Sequence, residues 1–123
     1  MSQIIPISQK RTFTLEEARE LLPVIRRITK EAVEKFVLLE QKLKKQQALS
    51  QDLTQSGEAV EGEISDLLNK WSEKIAKLGA FPKGIWLIDF DSGEGYYCWR
   101  YDEETVDHFH GYEEGFSSRT LIQ

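Results

Sequence analysis

The sequence predicts an α+β protein in which an antiparallel helical hairpin packs on a small antiparallel β-sheet. Two long runs of the chain carry apolar residues at helical spacing, and the stretch after them is rich in aromatic residues and turn signals. Ten aromatic residues lie between Phe81 and Phe116, against three before residue 80. We therefore expect a single domain over residues 1–123, with a helical section at 12–80 and a β-sheet section at 81–123.

The first helix is predicted to begin at a capping box, in which Thr14 caps the helix and Glu17 reaches back to the Thr14 amide. Pro23 removes a backbone hydrogen bond and clashes with the preceding turn, so we expect a kink or break there. The prediction is a short helical segment at Leu15–Leu22 and a main helix at Val24–Gln47. The apolar stripe alternates in steps of three and four, with Thr29 as its one polar member; its apolar residues are Ala18, Leu22, Ile25, Ala32, Phe36, Leu39 and Leu43.

The second helix is predicted over Glu58–Leu78, where apolar residues again recur at helical spacing. A polar stretch, Ser50–Gly57, joins two helices of similar length and so favours an antiparallel pair. Gly79 is suited to cap the end of the second helix, and Pro82 prevents the helix from continuing.

The sheet is predicted to start with a hairpin. Gly84–Phe90 and Tyr96–Tyr101 are rich in β-branched and aromatic residues, and Asp91–Gly95 is a turn sequence. Further strands are expected within Thr105–His110 and Phe116–Ile122. Side chains alternate between the faces of a strand, so we expect one face of the second strand to pack on the helices and the other to point away. The first set is Tyr97, Trp99 and Tyr101, and the second is Tyr96, Cys98 and Arg100.

Charge and composition exclude several function classes. The net charge is −5, and residues after position 80 contain three basic and nine acidic side chains, which would repel a polyanion. We therefore expect no nucleic-acid partner. No apolar run approaches the roughly 18 residues needed to span a bilayer, and Met1–Lys10 lacks the pattern of a secretory signal, so we expect no membrane association. A single cysteine, Cys98, is typical of a reducing compartment, and we expect a cytoplasmic location.

The strongest polar constellation in the sheet section is Asp89, Arg100, His110, Glu114 and Arg119. Two guanidinium groups and an imidazole can hold a carboxylate or a phosphate. The alternative is an internal ion-pair network, in which Arg100 or Arg119 neutralises Asp89 or Glu114 and fixes the turns. The residue pattern alone is compatible with both.

Cys98 and the two histidines allow two further interpretations. Arg100 beside Cys98 favours a thiolate, with His110 as its base, but the aromatic residues around Cys98 favour a buried structural cysteine. His108 and His110 lie two apart and share a strand face, which suits a metal. A third ligand would come from Cys98, Asp107, Glu113 or Glu114. Because none of these has a fixed ligand spacing, we expect no metal and no cofactor.

One set of residues matches the pattern of a known family, namely Thr14–Ala18, Leu21–Pro23, Gly84, Asp89–Phe90, Tyr97–Arg100, Glu103, His110, Glu114–Phe116 and Arg119. In these residues the chain resembles the bacterial family catalogued as domain of unknown function 2203. The resemblance spans about residues 12–122 and implies a cytoplasmic bacterial protein, without implying an activity.

The function that the sequence favours is a non-catalytic module that self-associates or binds a protein partner. The helix at Val24–Gln47 carries more apolar surface than a small sheet can cover, and large exposed apolar patches usually mark interfaces. A homodimer is the expected form. The alternative is a small-anion or metal-binding protein or enzyme with a site around Arg100, His110 and Arg119. Whether the protein is an enzyme is left open by the sequence.

Overall fold

The computed structural model describes residues 11–49 and 53–123 of the chain. Within this part, two helices pack together and are followed by a five-stranded antiparallel sheet, as the sequence predicts. The expectation about a signal at Met1–Lys10 lies outside the described residues, as do residues 50–52 of the predicted connection.

Helix α1 spans Leu15–Leu49 and begins at the predicted capping box. The Thr14 amide donates to Glu17 Oε1 at 2.8 Å, and the Glu17 amide donates to Thr14 Oγ1 at 3.1 Å. The predicted break at Pro23 is wrong, because α1 continues through this residue. Pro23 and Arg19, whose carbonyl loses its amide partner to the proline, are both exposed, so water can solvate that carbonyl.

Helix α2 spans Leu53–Lys77 and runs antiparallel to α1. Trp71 of α2 lies beside Thr29, whereas Glu63, earlier in α2, lies 3.6 Å from Lys42, which is later in α1. The helix starts before the predicted Glu58, so part of the polar stretch is helical. Gly79 follows the helix with φ +91°, a conformation that glycine adopts without strain, and this confirms the predicted cap.

Five strands form a meander in which neighbours along the chain are neighbours in the sheet. Their bounds are β1 Phe81–Pro82, β2 Leu87–Asp91, β3 Tyr96–Arg100, β4 His108–His110 and β5 Thr120–Leu121. A 3₁₀ turn at Phe116–Ser118 lies between β4 and β5. Strand β1 was not predicted, and Pro82 is tolerated there because an edge strand can lack one amide donor.

The β2–β3 hairpin fixes which side chains meet. Asp89 pairs with Cys98 and Asp91 with Tyr96. In the turn, Asp91 Oδ1 accepts the Gly93 amide at 2.8 Å, and Gly93 has φ +92°. Asp91 is thereby fixed at the end of β2, and the register of the whole hairpin follows from the turn.

The sheet has two different faces. Ile88, Phe90 and Trp99 belong to the same buried cluster as residues of α1 and α2, with Tyr97 and Tyr101 packed against it. The prediction that Tyr97, Trp99 and Tyr101 face the helices is therefore confirmed. By alternation, the side chains between them point to the opposite face, which we call the outer face. In the described part of the chain, neither helix combines the length and the apolar character needed to cross a bilayer.

Candidate functional site

Three strands bring an aspartate, a cysteine and a histidine together on the outer face. Asp89 on β2 lies opposite Cys98 on β3, and His110 ends the adjacent strand β4. Although the outer face points away from the helices, the three residues are only 3%, 1% and 4% exposed. One potential ligand atom from each of them lies within 4.8 Å of those of the other two. Among the described residues, they form the group whose donor atoms are close enough for a shared ion.

His110 has a defined hydrogen-bonding arrangement. Its Nδ1 lies 2.9 Å from the Gly111 carbonyl, which can only accept, so Nδ1 carries the proton. Its Nε2 lies 3.1 Å from Asp89 Oδ1. A neutral imidazole with a protonated Nδ1 presents a lone pair at Nε2, and a carboxylate oxygen also presents lone pairs. The close approach of these two atoms therefore needs a proton or a cation between them.

Cys98 is buried in the sheet and is affected by a carboxylate, that of Asp89, and by a guanidinium, that of Arg119. Burial, together with the adjacent Asp89 carboxylate, raises the pKa of Cys98 to about 12, and the Arg119 guanidinium opposes this shift. The Asp89 and Arg119 side chains therefore act on the sulfur in opposite directions. In the metal-free protein Cys98 is therefore a buried thiol, as the aromatic residues around it predict, and this argues against the alternative of a thiolate nucleophile with His110 as base.

Arg119 pairs with Glu103, which was not among the predicted site residues. Its two terminal nitrogens donate to the two carboxylate oxygens of Glu103, at 2.9 and 2.5 Å. The sequence left open an ion pair between Arg119 and Asp89 or Glu114, but the partner in the structure is Glu103. Because both of its terminal nitrogens are paired with Glu103, Arg119 is not available to hold an anion.

The segment that carries Glu103 is held by α1. Arg26 donates to the carbonyls of Glu103 and Glu104, both at 2.6 Å, and Arg19 donates to the Val106 carbonyl at 2.9 Å. The helix thus fixes the loop between β3 and β4, and the loop fixes Arg119 beside Cys98. The apolar core and the outer face are connected through these contacts.

A cavity of about 160 Å³ opens onto the three residues. Its lining residues are Lys83, Leu87, Asp89, Cys98, His110, Glu114, Gly115 and Phe116. Of the predicted site residues, four therefore line one cavity, namely Asp89, Cys98, His110 and Glu114. Glu114 Oε1 accepts the Gly111 amide at 2.8 Å, which holds the chain after His110 in place.

Arg100 and His108 are set apart from this cavity. Arg100 is exposed, and its guanidinium lies 5.5 Å from the Phe116 ring centroid. His108 Nδ1 lies 2.8 Å from Asp107 Oδ1 and 3.8 Å from Glu103 Oε2. The site is therefore built around His110 alone of the two histidines, with partners from β2 and β3.

Part of this arrangement could have been found in the sequence. Closing the hairpin with Asp91 opposite Tyr96 places Asp89 opposite Cys98, and the turn sequence gives that register. No local pattern indicates that Glu103 meets Arg119 or that His110 reaches Asp89. Both depend on how the loop between β3 and β4 folds.

Comparisons with known proteins identify a family but no activity. The family model described as Uncharacterized conserved protein (DUF2203) matches residues 11–122. No curated protein and no solved structure matches the chain. The family description names no substrate, ligand or partner.

Proposed function

The chain belongs to the family of uncharacterized conserved proteins DUF2203, and we propose that it binds a divalent transition metal such as zinc through Asp89, Cys98 and His110 on the outer face. The observation that carries this proposal is the cluster of three buried donor atoms within 4.8 Å of one another. It replaces the expectation of no metal, which depended on the lack of a fixed third ligand for His110.

The donor set selects the class of metal. A thiolate, an imidazole and a carboxylate together suit zinc and its neighbours, whereas magnesium and calcium prefer oxygen ligands alone. The proton of His110 on Nδ1 supports the proposal, because a ligating histidine commonly donates its other ring nitrogen to a carbonyl or carboxylate. A cation at Nε2 would also remove the conflict between this nitrogen and Asp89.

Small side-chain adjustments would form the site. Ligand atoms on a tetrahedral zinc ion lie roughly 3.3–3.7 Å apart, given metal–ligand bonds of about 2.0–2.3 Å. His110 Nε2 and Asp89 Oδ1 are already 3.1 Å apart, and no pair in the cluster exceeds 4.8 Å. Rotations that move an atom by about 1 Å are sufficient. Cys98 loses its proton on binding, and Arg119 stabilises the resulting thiolate.

The proposed ion has three protein ligands and one position open to the cavity. Closed structural zinc sites have four protein ligands, whereas catalytic sites keep one position for water or substrate. An ion at this position would act as a Lewis acid and lower the pKa of its bound water to about 7. We also propose a cytoplasmic location, since a reducing compartment keeps the Cys98 thiol available as a ligand.

The experiment is a zinc titration of metal-free protein under reducing conditions, in competition with a chromophoric chelator. We expect one zinc ion per chain. Asp89→Asn, Cys98→Ser and His110→Ala should each weaken zinc binding by about 100-fold or more. His108→Ala is the matched control, because this histidine shares the strand face and pairs with Cys98 across the sheet, but its nitrogens are not among the clustered donor atoms. Circular dichroism of each variant establishes that it folds.

Two outcomes would contradict the proposal. One is a wild-type protein that fails to compete with the chelator. The other is zinc binding that His108→Ala removes and His110→Ala leaves unchanged, which would assign the metal to a different pair of residues.

A second candidate function, self-association, is favoured by the surface between the helices. Leu38 is 65% exposed on α1, next to Val37, which is 41% exposed. A groove of about 460 Å³ runs beside Leu38, and its walls carry charges of both signs; its lining residues are Lys35, Leu38, Leu39, Glu63, Asp66, Leu67 and Lys70. A surface with apolar and oppositely charged residues can pair with its own copy about a two-fold axis.

Light scattering tests this candidate. We expect a mass near twice 14.3 kDa for the wild type and a shift to the monomer mass for Leu38→Glu. Leu121→Glu is the control, because Leu121 is 60% exposed at the edge of the sheet, away from the groove. A wild-type mass of 14.3 kDa at every concentration would rule out the dimer.

A further inference from the structure

The cavity in front of the proposed metal position has two kinds of wall. Its floor is polar and consists of Asp89, Cys98 and His110, while Leu87 and Phe116 contribute apolar side chains. The volume of about 160 Å³ exceeds that of a single water molecule severalfold, since water occupies about 30 Å³ in the liquid. The cavity therefore has room for a small organic molecule as well as a metal-bound water.

Lys83 supplies a positive charge at the mouth of the cavity. Its side chain is exposed, and its ammonium nitrogen lies 5.0 Å from the Tyr96 ring centroid. Within residues 11–49 and 53–123, none of the ion pairs involves Lys83. Glu114 also lines the cavity and keeps its negative charge, but the Gly111 amide holds one of its carboxylate oxygens, and no ion pair joins Glu114 to Lys83. Lys83 is thus a cation without a carboxylate partner, beside an open coordination position.

The charges favour an anion as the fourth ligand. A divalent ion bound by a carboxylate, a thiolate and a neutral imidazole has no net charge, so the ligands leave no excess negative charge to repel an anion. Arg119 does not compete for that anion, because Glu103 pairs with it. Lys83 then attracts the anionic group toward the mouth of the cavity.

We propose that the cavity binds a short-chain carboxylic acid, whose carboxylate takes the open metal position near Lys83 and whose hydrocarbon chain packs on Leu87 and Phe116. This inference rests on the proposed metal site and names the class of ligand that completes it. Inorganic phosphate fits less well, since those of its oxygens that face neither the metal nor Lys83 would lie against the apolar walls. A ligand with a hydrocarbon part can pack against the apolar walls of the cavity.

The experiment uses the full-length protein loaded with cobalt(II), whose visible absorption bands respond to a change of ligand. Propionate is the probe, and propionamide and inorganic phosphate are the comparison ligands. We expect propionate to change the spectrum in a saturable way, and the other two to have little effect at the same concentrations. Lys83→Met should weaken propionate binding about fivefold, which corresponds to one partly exposed ion pair.

The matched control is Lys77→Met, which removes an exposed lysine at the end of α2 and should leave propionate binding unchanged. If cobalt binds but propionate leaves the spectrum unchanged, the ligand class is wrong and the metal proposal stands. An equal response to phosphate also overturns the carboxylic-acid class. If cobalt does not bind at all, the metal proposal fails, and this inference fails with it.

Discussion

Thr29 shows how a single polar residue can belong to an apolar helix face. It is fully buried, and its Oγ1 accepts the indole N–H of Trp71 at 2.9 Å. The sequence identified Thr29 only as the exception in the apolar stripe. The reason for the exception lies on the other helix, since a buried indole N–H needs an acceptor.

Thr29→Val should lower the free energy of unfolding by about 1–3 kcal/mol, because it leaves the Trp71 N–H buried without an acceptor. Urea denaturation measures the change. Thr29→Ser keeps the hydroxyl and should lose less stability. In a Trp71→Phe background, which lacks the indole donor, Thr29→Val should cost much less stability than in the wild type. An equal cost in the two backgrounds would show that the hydrogen bond is not the cause.

Arg119→Ala should lower the free energy of unfolding by about 3–5 kcal/mol, because it strands the carboxylate of Glu103 in a largely buried position. The side chains of Arg119 and Glu103 are 11% and 17% exposed. Lys83→Ala, at an exposed position, should change stability little and serves as the control. Equal unfolding midpoints for Arg119→Ala and the wild type would show that the ion pair does not stabilise the fold.

The same pair predicts an acid-dependent loss of stability. Burial on its own would raise the pKa of Glu103, but the Arg119 guanidinium and the Arg100 amide hold it below its ordinary value of 4.5. A carboxyl with a lowered pKa in the folded state stabilises the protein above 4.5. This contribution is lost as the pH falls through the folded-state pKa.

Glu103→Gln should therefore be less stable than the wild type at neutral pH, and the difference between them should shrink below pH 4.5. Denaturation midpoints measured from neutral to acidic pH test this. A difference that stays constant over that range would contradict the assigned ion pair.

Among the helices and strands, α1 is continuous despite Pro23, and the stability of Pro23→Ala measures how much the proline destabilises the helix. Pro23→Ala restores one backbone hydrogen bond and removes a steric clash, at an exposed position where no packing is lost. We expect the substitution to raise the free energy of unfolding by about 1–3 kcal/mol, measured by thermal denaturation. A fall in stability would mean that the proline stabilises α1 through its effect on the unfolded chain.

The elements that could be predicted are those with local signals. The capping box at Thr14, the glycine at Gly79 and the turn after Asp91 each place a boundary through contacts between residues close in sequence. Strand β1 and the partner of Arg119 depend on contacts between distant segments. The candidate site falls between these cases, since the hairpin register pairs Asp89 with Cys98, but the approach of His110 depends on the longer loop before β4.

Across the molecule, the two faces of the sheet bury different kinds of side chain. The inner face forms the apolar core with α1 and α2, and the outer face holds polar side chains that are just as deeply buried. A protein that buries an aspartate and a histidine must satisfy both, by hydrogen bonds or by a bound ion. The assignment of residues 1–123 to a single domain stays a prediction, and one cooperative transition in calorimetry would support it.

Crystallography at the zinc absorption edge shows whether Asp89, Cys98 and His110 bind a metal of the zinc class. Crystals grown with zinc should give an anomalous peak between the three residues. The ion should lie about 2.3 Å from the sulfur and about 2.0–2.2 Å from the nitrogen and the oxygen, with its fourth position toward the cavity. An empty cluster in zinc-containing crystals, with His110 still hydrogen-bonded to Asp89, would contradict the claim.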